Sequence, residues 1–173
     1  MKKILAIAVM VVLAFTFVNQ TFAQKTYKFG HIDSNQLLSL MPERAQAKTT
    51  LEAYAKQLES TLSTMQTEFE NKYQDYLASA DSLSPLIRQT KEKELGDLQQ
   101  RIQAFQQKAQ QDLSEKESSL LQPIIDKAKK AIDDVATENG FTYIFDTGTG
   151  VILHHSADSE DILPLVKAKL GIK

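Results

Sequence analysis

LEAYAKQLESTLSTMQTEFENKYQDYLASADSLSP, residues 51–85, carries two interleaved apolar rows and then a break. Leu51, Leu58 and Met65 stand seven apart, and Ala55, Leu62, Phe69 and Tyr76 form a second row with the same spacing. Alternating steps of four and three are the seam of a coiled coil. After the break, Leu95, Leu98, Ile102, Phe105, Ala109 and Leu113 repeat the pattern. Asp81 and Ser82 end the first run, and Ser84-Pro85 supplies an N-cap and a first-turn proline for the second. Residues 42–122 are therefore predicted to form two long helices folded back on each other. At 1.5 Å per residue, an arm of about 38 residues is roughly 55 Å long. A single domain of this size has a radius of gyration of about 15 Å, so the arm projects from it.

Working outward, Met41-Pro42 separates the first arm from a short helix, Asn35 to Leu40, which Asp33 and Ser34 can cap. Before it, Thr26–Ile32 alternates as a strand does. On the far side, the helical pattern continues past Pro123 through Ile124, Ile125, Ala128, Ile132 and Val135, and its apolar stripe widens there. A proline inside a helix kinks it, and a wider stripe suits a helix packed on a sheet. The arm is accordingly expected to join the body at about Pro123, with Gly96 and Pro123 as candidate hinges. Glu138-Asn139-Gly140 signals the helix end. Phe141–Phe145 and Val151–His155 read as two strands joined by the turn residues Asp146–Gly150, hence a β-hairpin. A helix near Ile162–Leu170 closes the chain.

Residues 1–23 have the plan of a secretory signal peptide: Lys2-Lys3, an apolar run from Ile4 to Phe17, and the small-x-small site Thr21-Phe22-Ala23. The expected exported chain starts at Gln24, and no cysteine follows the apolar run to carry a lipid anchor. The domains are then 1–23, signal peptide; 24–41 with 123–173, a β body; and 42–122, the arm. The fold class is α+β and mostly α: a long antiparallel hairpin inserted in a small three-stranded body. Such a body buries little surface alone, and oligomerisation would remedy this.

The composition narrows function. Of 173 residues none is cysteine, which removes thiol chemistry and thiolate metal sites. Without Lys2 and Lys3 the chain carries 18 Lys and Arg against 22 Asp and Glu, net −4. A nucleic-acid partner wants a basic stripe instead. There is no phosphate-binding G-x-x-x-x-G-K-[ST] loop and no H-E-x-x-H. Asp146-Thr147-Gly148 matches the D-T-G of aspartic proteases, but one copy at a turn, in a helical protein, is better read as turn chemistry. His154-His155, as neighbours on a strand, would point to opposite faces and could not chelate together. No enzyme, cofactor or metal site is expected. Tyr54, Tyr73, Tyr76, Leu77 and Leu83 lie on the arm beside the seam or at its tip. They either widen the hairpin's own interface or face a partner.

The order of these segments resembles the Skp/OmpH family of periplasmic chaperones. It begins with a strand bearing F-G-H-I-D and a short helix to L-M-P-E. After the long hairpin come G-F-T-Y-I-F-D, V-I-L-H-H and D-I-L-P. The resemblance covers the whole exported chain. It implies a homotrimer whose arms enclose a cavity and, without ATP, hold unfolded outer-membrane β-barrel proteins there. On that analogy Phe29, Ile32, Phe141, Ile144, Val151 and Leu153 build the body and its trimer contacts. The slightly acidic chain departs from strongly basic family members, which argues against long-range attraction to lipopolysaccharide. The alternative is a periplasmic adaptor docking its arm on an envelope complex.

Overall fold

The computed structural model describes residues 27–172, so the signal-peptide reading and its cleavage after Ala23 lie outside the described residues. Strand β1 (Phe29–Ile32) leads into helix α1 (Ser34–Leu40) and helix α2 (Pro42–Ser79). A single 3-10 turn, Ala80–Ser82, reverses the chain into helix α3 (Pro85–Glu138). Strands β2 (Tyr143–Asp146) and β3 (Glu160–Asp161) and helix α4 (Leu163–Leu170) complete it. The class is α+β and mostly helical, with an antiparallel helical hairpin inserted in a three-stranded sheet.

The seam residues are where the spacing puts them. Every member of both predicted rows on α2, and Leu95, Ile102, Phe105, Ala109 and Leu113 on α3, is half-buried, and Leu98 is fully buried. The arm ends are fixed by polar groups. At the tip, Ser84 Oγ accepts from the Ile87 amide, and Arg88 donates to the Ala80 carbonyl at 2.6 Å. Near it, Tyr76 Oη donates to Glu92 Oε1 at 2.6 Å, a bond that pushes the phenol's pKa up. At the base, the Lys127 ammonium bonds Glu43 and holds its carboxyl below the ordinary range.

Gly96 lies within α3, and a Cβ built there would meet nothing within 4 Å. Alanine fits, and a helix-interior glycine costs roughly 1 kcal/mol relative to it. Gly96→Ala is thus expected to raise stability by about 1 kcal/mol, read as a higher urea midpoint. If the arm bends at Gly96 during function, the same variant will slow that function while raising the midpoint.

Helix α3 includes Pro123 in its interior. Beyond it, Ile124, Ala128, Ala131 and Val135 turn into the core with Ile32, Leu37, Met41, Ala47, Ile162, Leu163 and Val166. Just past the helix end stands Gly140, whose φ of +69° suits a residue without Cβ. The Phe141 amide reaches back to the Ala136 carbonyl at 2.9 Å and the Gly140 amide to Thr137 at 3.3 Å, a Schellman end.

The sheet corrects the sequence reading. Its order is β2-β1-β3, and both pairings are parallel: Phe29 opposite Tyr143 through Ile32 opposite Asp146, and Gly30 opposite Glu160. The expected hairpin of 141–145 with 151–155 does not form. Residues 151–156 carry no regular structure, and the third strand is Glu160–Asp161. The physical reason is burial. Parallel pairing puts Gly30, Ile32 and Ile144 under the helices, and Ile162, directly after β3, is completely buried. Val151-Ile152-Leu153 has strand composition, but the chain after β2 passes instead to the other edge of β1, where β3 pairs and Ile162 and Val166 reach the core. The parallel ladder continues past the strands, with Thr147 N bonded to Ile32 O at 2.9 Å and Ile162 N to His31 O at 3.0 Å.

Candidate interaction surfaces

The six residues expected to build the body divide by face. Ile32 is buried, and Phe141 and Ile144 pack against the core. Phe29, Val151 and Leu153 point outward; Val151 is 77% and Leu153 93% exposed, so neither is a core residue of the chain. Because side chains alternate along a strand, Phe29 shares its face with Tyr27, Tyr143 and Phe145. Their rings form a ladder: centroids are 6.3 Å apart for Tyr27–Phe29 and for Phe29–Tyr143, and 6.1 Å for Phe29–Phe145. All four are exposed, Tyr143 by 61%. Parallel sheets are normally covered on both faces, whereas this one is covered by helices on one face only. Alternation alone already placed Tyr27 and Phe29 together; Tyr143 and Phe145 join them only once the parallel register is known.

The arm residues separate as well. Tyr54 is half-buried, with the Lys116 ammonium 6.0 Å from its ring centre. Tyr76 is half-buried and bound to Glu92, so both serve the hairpin's own interface. Tyr73 is exposed and stacks on Phe69 with planes 4° apart. Leu77 is exposed, and Leu83 is half-buried in the tip. Sequence reasoning missed Leu86 and Ile87, exposed by 74% and 49% in the first turn of α3. The available signal was two large apolar residues adjacent to Pro85 and ahead of the heptad rows.

Asp146 has a structural occupation. Its Oδ1 accepts from the Ser34 amide at 3.1 Å and the Gly148 amide at 2.9 Å, and its Oδ2 from the Ser34 hydroxyl at 2.6 Å. It thereby ties the end of β2 to the start of α1. Gly148 follows because the loop passes tightly there: a Cβ would lie 2.5 Å from Asp33 Oδ1. D-T-G is thus accounted for by packing against the α1 N-terminus. Asp146→Ala leaves those donors unpaired and is expected to cost about 2 kcal/mol, read by urea unfolding.

His31 and His155, from β1 and the loop after β2, stack with centroids 4.0 Å apart. Among the described residues, no group of three or more His, Asp or Glu is placed to hold a metal, and no helix is long and apolar enough to cross a membrane.

A long helical hairpin rising from a small mixed base, with an aromatic ladder exposed on the outer face of its sheet, defines an arm-and-platform protein. The family model for OmpH, "Outer membrane protein (OmpH-like)", matches residues 28–170, and the chain belongs to that family. A crystal structure of a candidate outer membrane chaperone (OmpH-like) from Caulobacter crescentus has a similar fold. Its TM-score is 0.71 at 17% identity, covering 84% of each chain. No curated protein matches.

Proposed function

We propose that this chain is an ATP-independent holdase chaperone of the periplasm. Residues 1–23 export it, three copies join through their bodies, and the arms surround unfolded outer-membrane β-barrel proteins and prevent their aggregation. The observation that carries this reading is the unpartnered Tyr27–Phe29–Tyr143–Phe145 ladder at the base of the arm. Exposed apolar patches of this kind mark association surfaces. A second copy that covers it would add the buried area a small body lacks, and would set the arms side by side. Membership of the OmpH-like family and the described role of the Caulobacter protein point the same way.

Clients would be held by many weak contacts. Tyr73, Leu77 and Leu83 are the arm candidates, joined by Leu86 and Ile87 at the tip. Tyr54 and Tyr76 contribute by stiffening the hairpin. Neither the charge balance nor any described side-chain cluster supports a role in nucleic-acid binding, lipopolysaccharide attraction or catalysis. Gly96 and Pro123 remain the candidate points of arm bending, with the domain junction near Pro123.

The test is light scattering from a urea-unfolded barrel protein diluted into buffer with increasing amounts of the chaperone. Aggregation is expected to fall to the baseline near three chains per barrel, with or without nucleotide. Undiminished aggregation at that ratio overturns the holdase reading. Stable binding of the arm tip to a folded envelope complex, without this suppression, would instead favour an adaptor.

A further inference from the structure

Helix α3 carries a run of glutamines that the hairpin seam does not use. Gln99, Gln103, Gln106 and Gln110 each stand one residue after a seam position, namely Leu98, Ile102, Phe105 and Ala109. At 100° per residue the four lie within about 60° of one another around the helix, a single stripe about 16 Å long. All four are exposed. The charges of this stretch sit on the other flank, since Asp97, Arg101 and Lys108 stand just before Leu98, Ile102 and Ala109.

Other glutamines of the arm are engaged within their own helix. Gln74 donates to Glu70 at 2.7 Å, Gln111 to Glu115 at 2.7 Å and Gln122 to Asp126 at 2.9 Å. Such pairs need an acid one turn away. The four stripe glutamines have none three or four residues to either side, so their amides are left to water or to a partner.

In an antiparallel pair of helices, the flanks that follow the seam on each helix lie on the same side of the pair. On α2 that flank carries Leu77, just after Tyr76, and Tyr73, four residues after Phe69. They are 51% and 40% exposed. It also carries Glu59 and Glu70 with Ser63 and Gln66 between them, so the uncharged stripe belongs to α3. The arm therefore has two unlike sides. One joins the glutamine stripe to exposed apolar residues, and the other joins Asp97, Arg101 and Lys108 to Glu68 and Asp75 of α2.

A primary amide both donates and accepts, so it can bond either polar group of a polypeptide main chain. Its exchange of water for such a partner is nearly even, whereas burying an unpaired charge is strongly unfavourable. An amide stripe beside apolar side chains thus suits a chain whose main-chain groups are still unpaired, independent of its sequence. The stripe is as long as about five residues of extended chain. We propose that the side of the arm bearing Gln99, Gln103, Gln106 and Gln110 with Tyr73 and Leu77 is its client face, where the glutamines bond the main chain of an extended, unfolded polypeptide. This assignment rests on the holdase reading and adds to it the side of the arm that meets the client.

The test is fluorescence anisotropy of a dye-labelled, urea-unfolded barrel protein diluted into wild type and two variants. The first combines Gln99→Ala, Gln103→Ala, Gln106→Ala and Gln110→Ala. The second combines Gln100→Ala, Gln107→Ala and Gln111→Ala, at the back of α3 away from the seam. Alanine is the better helix former, so both variants keep the arm. The apparent dissociation constant is expected to rise about tenfold in the first, the loss of one to two such bonds, and to change less than about twofold in the second. Equal affinity in wild type and the stripe variant, or equal losses in both variants, would overturn the client face and leave the holdase reading standing. Wild type that binds no unfolded barrel would overturn both. A stripe variant whose native mass without client differs from that of wild type would assign the stripe to contacts between copies, and so also overturn the proposal.

Discussion

Gly30→Val is expected to destabilise the body by about 3 kcal/mol or more, at the upper end of overpacking effects. Gly30 lies in the middle of β1, the central strand, and is buried. A Cβ there would sit 2.9 Å from Ile144 Cδ1, 2.9 Å from Phe141 Cε1 and 3.1 Å from Ile162 Cγ2. Those three side chains come from β2, from the turn before it and from the residue after β3. Ile162 is completely buried, and valine would add two further methyl groups to the same crowded space. Glycine ordinarily weakens a strand; here it is the only residue small enough for both neighbours to close over β1. Urea unfolding at one fixed protein concentration, followed by tyrosine fluorescence, reads the effect. A midpoint equal to that of the wild type would show that the sheet does not pack as described.

The second large effect belongs to the other face of the same strand. Phe29→Lys with Tyr143→Lys removes the centre of the ladder and adds two charges per chain to a surface that association would have to desolvate. Both residues are exposed, so each chain should still fold. Two central aromatic anchors at about 2 kcal/mol each amount to about 4 kcal/mol, or about a thousandfold in the association constant. The double variant is therefore expected to sediment as a folded monomer at micromolar concentration and to lack the proposed protection of unfolded barrels. Sedimentation velocity checks it, with far-ultraviolet circular dichroism as the control for folding. An unchanged sedimentation coefficient would mean that the bare face is not where copies meet.

The arm was legible from sequence because its determinants are local and periodic. Leu51 through Tyr76 and Leu95 through Leu113 need only a helix and an antiparallel neighbour to be half-buried. The caps were equally plain: Asp33 accepts from the Gln36 amide at 2.9 Å, and Ser84-Pro85 opens α3. The sheet was not legible, because its determinants are distant in sequence. β1 pairs with β2 only after the entire hairpin has intervened. β3 is two acidic residues, held in position by the burial of Ile162 and Val166 beyond it. Asp146–Gly150 has hairpin composition, yet it wraps the start of α1, where Asp146 and Gly148 both find their partners. The His31–His155 contact was hidden for the same reason, since the supposed strand at 151–155 would have turned adjacent histidines apart. On the arm, Leu86 and Ile87 escaped notice because they belong to no heptad row.

The proposed clasp is tested most directly by the mass of residues 24–173, produced without the proposed signal peptide and measured by multi-angle light scattering at micromolar concentration, alone and with an unfolded barrel protein. The expected result is three chains per particle alone, and the same three with one soluble barrel added. A monomer in both samples, with the barrel precipitating at its unassisted rate, would contradict it.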